Sequence, residues 1–126
     1  MTKRILILLT TLVLLSCSST STNSHMHQSG YTESGKASFY AMKFQSRKTA
    51  NGERFNQQSS TAAHNKLPFG TKVKVTNIKN GKSVIVRIND RGPFTADRII
   101  DLSRSAFNRI GHFDKGILDV RIKVIK

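Results

Sequence analysis

The chain has 126 residues, with 21 Lys and Arg against 7 Asp and Glu, and a formal net charge of +14. A length of this order suits one domain, and a charge this lopsided points to a polyanionic partner while saying nothing about fold. A single cysteine excludes an intrachain disulfide, and with that cysteine committed elsewhere (below) neither thiol catalysis nor a cysteine-based metal site is available.

The N-terminal segment has the three parts of an export signal. Lys3 and Arg4 supply positive charge, Ile5 to Leu15 is almost wholly apolar, and Ser16-Cys17 follows. The apolar run is far short of the roughly 20 residues that span a bilayer as a helix. Leu14-Leu15-Ser16-Cys17 resembles a bacterial lipobox, which predicts cleavage before Cys17, lipidation of its thiol and attachment to the envelope, on the periplasmic side of the outer membrane. Residues 1–17 are then a signal peptide. Without Lys3 and Arg4 the mature chain keeps 19 basic and 7 acidic residues, a net +12. Outside the cytoplasm nucleic acid is not the expected partner; cell-wall polymer and anionic lipid are.

Residues 18–34, rich in Ser, Thr, Asn and Gln, read as a flexible tether. A domain is expected over residues 35–126. Ala37 to Tyr40 is a candidate strand. Lys72 to Ile78 alternates, with Val73 and Val75 on one face; Asn80-Gly81 marks a tight turn, and Ser83 to Asn89 returns with Val84, Val86 and Ile88 on one face. Asp90-Arg91-Gly92-Pro93 breaks that strand. After the apolar run Arg98-Ile99-Ile100, Asp101 or Ser103 caps a short helix that carries Ala106, Phe107 and Ile110 and stops at Gly111. Leu118 to Ile125 alternates as a closing strand. The class is mainly β, with short strands and one or two short helices.

Few residues are left for chemistry: Glu53, His64, Asp90, Asp97, Asp101 and His112. Glu53 follows the Asn51-Gly52 turn, and Asp90 ends an apolar strand at a Gly-Pro corner, where a side chain can enter a cleft. His64 lies among small residues that permit close packing. Each also has a plain structural reading: Glu53 as a solvated loop acid, Asp90 as a turn acceptor, His64 as a satisfied semi-buried ring, Asp101 as a helix cap and His112 as a partner of the helix C-terminus. Tyr40, Phe44 and Phe94, close to loops, are candidates to line a sugar-binding groove. The histidines and aspartates show no metal-ligand spacing, and neither metal nor cofactor is expected.

Gly35-Lys36-Ala37-Ser38-Phe39-Tyr40, Thr49-Ala50-Asn51-Gly52-Glu53-Arg54-Phe55, Thr61-Ala62-Ala63-His64, Leu67-Pro68-Phe69-Gly70-Thr71, Val75-Thr76-Asn77, Asn89-Asp90-Arg91-Gly92-Pro93-Phe94 and Arg98-Ile99-Ile100-Asp101-Leu102-Ser103 together resemble the rare lipoprotein A family. The resemblance runs in order from Gly35 to Val124. It implies a six-stranded double-psi β-barrel, a fold shared with expansins, and lytic transglycosylase activity on peptidoglycan strands stripped of stem peptides during separation of daughter cells. It places the essential acid on Glu53, the essential histidine on His64 and a groove aspartate on Asp90, so that Glu53 and His64 share one cleft. Tyr40, Asn56, Arg91 and Phe94 become substrate-binding positions, Asn56 standing where the family usually has an aspartate. In this chemistry a carboxylic acid, Glu53 or Asp90, protonates the glycosidic oxygen; the same group or His64 takes the proton of the muramic C6 hydroxyl, closing a 1,6-anhydro ring without water. The alternative is a non-catalytic, expansin-like peptidoglycan-binding lipoprotein. A monomer is expected in either case.

Overall fold

The computed structural model describes residues 29–126. The expected signal peptide, Cys17 and most of the expected tether lie outside these residues. Six strands, β1 (Thr32–Phe39), β2 (Thr61–Ala63), β3 (Lys72–Asn77), β4 (Ser83–Asp90), β5 (Arg98–Leu102) and β6 (Leu118–Val124), form a closed barrel in the order β1-β5-β2-β4-β3-β6. Helix α1 (Arg104–Ile110) and two 3-10 turns, Met42–Phe44 and Phe113–Lys115, complete the elements. β1 runs parallel to β5 and β2 parallel to β4, while the remaining neighbours are antiparallel. Closure leaves no strand edge open to another chain.

The alternation along the strands accounts for the core. Val73 and Val75 of β3, Val84, Val86 and Ile88 of β4, and Leu118, Val120, Ile122 and Val124 of β6 all point inward and are buried. Ala37, Ala62, Ile100 and Leu102 complete the barrel interior, and Phe107 and Ile110 of α1 join the same cluster. Each fully buried Val or Ile here is worth roughly 1.5–3 kcal/mol relative to exposure.

Three local expectations change, and the helix stop at Gly111 holds. The first strand begins at Thr32, inside the segment expected as tether, because Thr32 to Ala37 pair with Lys123 to Leu118 of β6. The β3–β4 turn is looser than a two-residue hairpin: Ile78 to Lys82 separate the strands, with Gly81 at φ +74°. Asp101 belongs to β5, and the cap of α1 is Ser103 alone, whose Oγ accepts the amide of Ala106 at 3.3 Å. Gly111 ends the helix with an extended backbone (φ −165°); a Cβ there would lie 2.6 Å from the Leu118 side chain.

Exposed His112 has no part in the helix C-terminus. The Ile110 carbonyl instead accepts from Asn77 Nδ2 at 2.8 Å and Asn80 Nδ2 at 2.9 Å, which ties α1 to the β3–β4 turn. Asn77 is buried and Asn80 is exposed. Replacing Asn77 by Ala is therefore expected to cost about 1–3 kcal/mol, the penalty for breaking a buried hydrogen-bonded pair. The same change at Asn80 should cost less, and urea unfolding of the two variants measures the difference.

Candidate functional site

A groove of about 750 Å³ crosses the outside of the barrel over β1, β5 and β4. Its floor follows from strand register. Ser38 pairs with Asp101 across β1–β5, Asp101 with Ala63 across β5–β2, and Ala63 with Asp90 across β2–β4. Two carboxylates thus flank one small residue in a single cross-strand row, two strand spacings apart, or about 10 Å between backbones. Lys43, Phe44, Arg47 and Lys48 form one wall; Gly92, Pro93, Phe94 and Arg98 form the other.

Asp90 is held from three sides. Its Oδ1 accepts the amides of Ala50 and Arg91, both at 2.9 Å, and its Oδ2 accepts the Tyr40 hydroxyl at 2.6 Å. Burial, and then the bond to Asp90, push the Tyr40 hydroxyl well above its ordinary value, so it stays a proton donor to Asp90. The Tyr40 ring is held against Phe55 at a centroid distance of 4.3 Å.

Asp101 is bound differently. Its Oδ1 accepts the Ser38 hydroxyl at 2.5 Å, and Arg98 lies 3.4 Å from each carboxylate oxygen. A serine hydroxyl can both donate and accept. Asp101 was expected as a cap because Asp-Leu-Ser before a helix fits capping and strand termination equally well. The alternation of Ile100 and Leu102 into the core is the signal that turns Asp101 outward.

Glu53 lies beside the groove but does not line it. Its carboxylate receives Arg87 through two bonds of 2.6 and 2.8 Å, Asn51 Nδ2 at 2.8 Å and Asn89 Nδ2 at 3.3 Å. The Arg87 bonds, with those from Asn51, hold its pKa at about 2. Glu53, expected with Asp90 as a candidate acid, thus turns its carboxylate to Arg87, Asn51 and Asn89. Its contacts anchor the Thr49–Glu53 loop to β4, and that loop supplies the Ala50 amide to Asp90.

His64 is also placed differently from the expectation. It is 1% exposed. Nδ1 accepts the amides of Lys66 and Leu67, each at 3.0 Å, which sets the ring proton on Nε2, 3.0 Å from Glu33 Oε2. Both nitrogens are thus committed away from the groove, and Glu53 and His64 do not meet. His64 nonetheless supports the site: its amide donates to the Asp90 carbonyl at 3.1 Å. Its partner Glu33 escaped sequence reading because it lay in the expected tether.

Of the other expected binding positions, Tyr40 and Phe94 line the groove, with Phe94 82% exposed at its lip. Arg91 lines it too, but its guanidinium donates to the carbonyls of His64 (3.1 Å) and Leu67 (2.8 Å) and lies over the Phe69 ring. Asn56 is outside the groove, its Oδ1 accepting the Gln58 amide in a turn.

Residues 32–122 match the lytic transglycolase family. A protein of Synechocystis named "probable endolytic peptidoglycan transglycosylase RlpA" is 58% identical over 92 residues, 73% of this chain and 29% of that protein. An endolytic peptidoglycan transglycosylase RlpA of Vibrio cholerae is 56% identical over 96 residues, 76% of this chain and 36% of that protein. The chain thus spans roughly a third of the length of these curated relatives. Among solved structures, a Streptomyces papain inhibitor superposes with a TM-score of 0.66 at 22% identity, over 79% of this chain and 99% of that one. A mutant Clavibacter michiganensis expansin in complex with cellohexaose gives 0.60 at 22% identity, over 76% of this chain and 51% of that one. These two likenesses bear on the barrel fold, the double-psi architecture expected above.

The Glu53–Arg87 pair makes a pH-dependent contribution to stability. The Glu53 pKa is depressed on folding, so the contribution is complete above the ordinary value of 4.5 and is lost as pH falls towards about 2. Because Glu53 is 40% exposed, solvent screening keeps it modest. Melting curves of the wild type and Glu53→Gln should differ at pH 6 and converge near pH 2.

Proposed function

The chain belongs to the lytic transglycolase family, and from that premise we propose that it cleaves the bond between N-acetylmuramic acid and N-acetylglucosamine in peptidoglycan, leaving 1,6-anhydromuramic ends. The observation that carries the reading is that Asp101 and Asp90, which both line the groove, pair with Ala63 from its two sides in one cross-strand row. Asp101, facing a hydroxyl that can donate or accept, delivers a proton to the glycosidic oxygen. As the bond from that oxygen to the muramic C1 breaks, Asp90 stabilises the positive charge that develops there. The C6 hydroxyl of the same sugar attacks C1, and its proton passes to Asp90. No water enters the product, and exchange with solvent returns both carboxyls to their starting states. Glu53 and His64 act as positioning residues, through the Ala50 amide and the Asp90 carbonyl.

The walls suit the same substrate. Phe44 and Phe94 offer apolar faces for sugar rings, and Lys43, Arg47 and Lys48 make no salt bridge among the described residues. Strands stripped of stem peptides carry a free lactyl carboxylate on each muramic residue, and these cations match it. Such strands fit a role in remodelling the wall where daughter cells separate. The expansin-like, non-catalytic alternative leaned on the missing carboxylate at Asn56, and that position lies away from the groove.

The lipobox at Cys17 supports a lipid anchor in the envelope, on the periplasmic side of the outer membrane. Labelled palmitate should enter the wild-type protein, and Cys17→Ser should abolish the label and release the protein from the membrane pellet.

Mass spectrometry of products from peptide-stripped strands tests the chemistry. We expect 1,6-anhydromuramic ends from the wild type and a loss of 10²–10⁴-fold in rate for Asp101→Asn or Asp90→Asn, the usual range for removing a general acid or base. An Asp101→Asn variant that cleaves at the wild-type rate would remove the proposed acid. Strand binding without any anhydro product from the wild type would favour the wall-binding alternative.

A further inference from the structure

The groove does not use all of the positive charge. On the outer face of β3 and β6, Lys72, Lys74, Arg121 and Lys123 are exposed, with Lys126 just beyond β6. None of the five forms a salt bridge among the described residues. Lys74 stands directly opposite Lys123, and Thr76 opposite Arg121. Like charges placed directly opposite on one sheet face are destabilising, so folding alone gives no reason for the Lys74–Lys123 pair. Nearby acids are engaged elsewhere: Asp119 with Lys36 and Lys79, and Glu53 with Arg87.

Barrel order gives this face a direction. β3 stands across the closed barrel from β5, which carries Arg98 and Asp101 of the groove. The basic face is therefore turned away from the β5 side of the groove. The chain also enters the domain at the basic side: the Gly30 amide donates to the Val124 carbonyl at 2.8 Å, and the Lys72 amide to the Lys126 carbonyl at 2.8 Å. From Cys17 to Ser29 there are twelve residue steps, which even fully extended reach about 40 Å.

We propose that the outer face of β3 and β6 docks on the anionic lipid surface to which the chain is anchored, turning the β5 side of the groove away from the membrane and towards the glycan. The choice of occupant rests on the anchor proposed at Cys17; the short reach from it and the sign of the charge argue for lipid over a soluble polyanion. Docking of this kind is electrostatic, so it needs no apolar insertion and weakens with salt.

The test is co-sedimentation of residues 18–126, which contain the whole closed barrel and no lipid, with vesicles of phosphatidylcholine alone or with 30 mol% phosphatidylglycerol. We expect binding to the anionic vesicles only, reduced at 300 mM NaCl. Lys74→Glu combined with Lys123→Glu should lower the partition coefficient about 25-fold or more, at roughly 1 kcal/mol per basic residue near the surface. Lys43→Glu with Arg47→Glu, an equal charge change on the groove side, should leave most of the binding. Equal losses from the two double variants, or equal binding to neutral vesicles, would overturn the proposal. So would loss of binding to purified sacculi with retained binding to vesicles in Lys74→Glu with Lys123→Glu, which would assign the face to the wall. Because the vesicle assay reads no cleavage, an inactive groove would leave its outcome intact, and an inactive anchor would show in the palmitate label instead.

Discussion

Asp90 is the point on which four segments converge. Its side chain takes the Tyr40 hydroxyl from the end of β1, the Ala50 amide from the loop before Glu53 and the Arg91 amide from the corner after β4, while its carbonyl takes the His64 amide from the end of β2. These segments are far apart in sequence, and none is a long regular element. One residue with several acceptor sites gathers them because each donor is a backbone amide or hydroxyl that would otherwise need water or another partner. Removing the acceptor would loosen groove walls and floor together, so structural and chemical roles coincide at this residue.

The residues around it are organised in layers. Glu53, paired with Arg87 and Asn89 on the neighbouring face of β4, keeps the Thr49–Glu53 loop in place without entering the groove. His64, with Nδ1 taking two amides and Nε2 facing Glu33, keeps the Lys66–Leu67 turn closed against the same strand. Arg91 draws the carbonyls of His64 and Leu67 together from the other side. Substitutions at any of these positions would reach the groove through Asp90, so the motif around them carries architecture.

Much of this was legible in the chain. Alternating Val and Ile residues marked β3, β4 and β6, since period-two burial leaves a direct trace in composition. Ser103 as the helix cap and the break at Asp90-Arg91-Gly92-Pro93 were equally plain. The start of β1 was hidden, because Thr32, Glu33 and Ser34 are as polar as a tether and become a strand only by pairing with β6. Asn56 was a binding position by resemblance alone and His64 a candidate also from its surroundings; Asn56 sits in a turn, and His64 is buried with both ring nitrogens bonded. Asp101 was visible as an acid but could not be assigned, since Asp-Leu-Ser reads as well for a cap as for a strand end.

By itself the sequence determined a strongly basic chain, a mainly β domain and the family to which it belongs. These depend on local composition, periodicity and motif order, which need no partner in space. The tertiary structure alone decided which acids meet. Parallel pairing of β1 with β5 and of β2 with β4, joined by the antiparallel pairing of β5 with β2, aligns Ser38, Asp101, Ala63 and Asp90 in one row, and barrel closure puts Lys74 of β3 across from β5. Register and closure are properties of strands distant in sequence, so no local pattern records them.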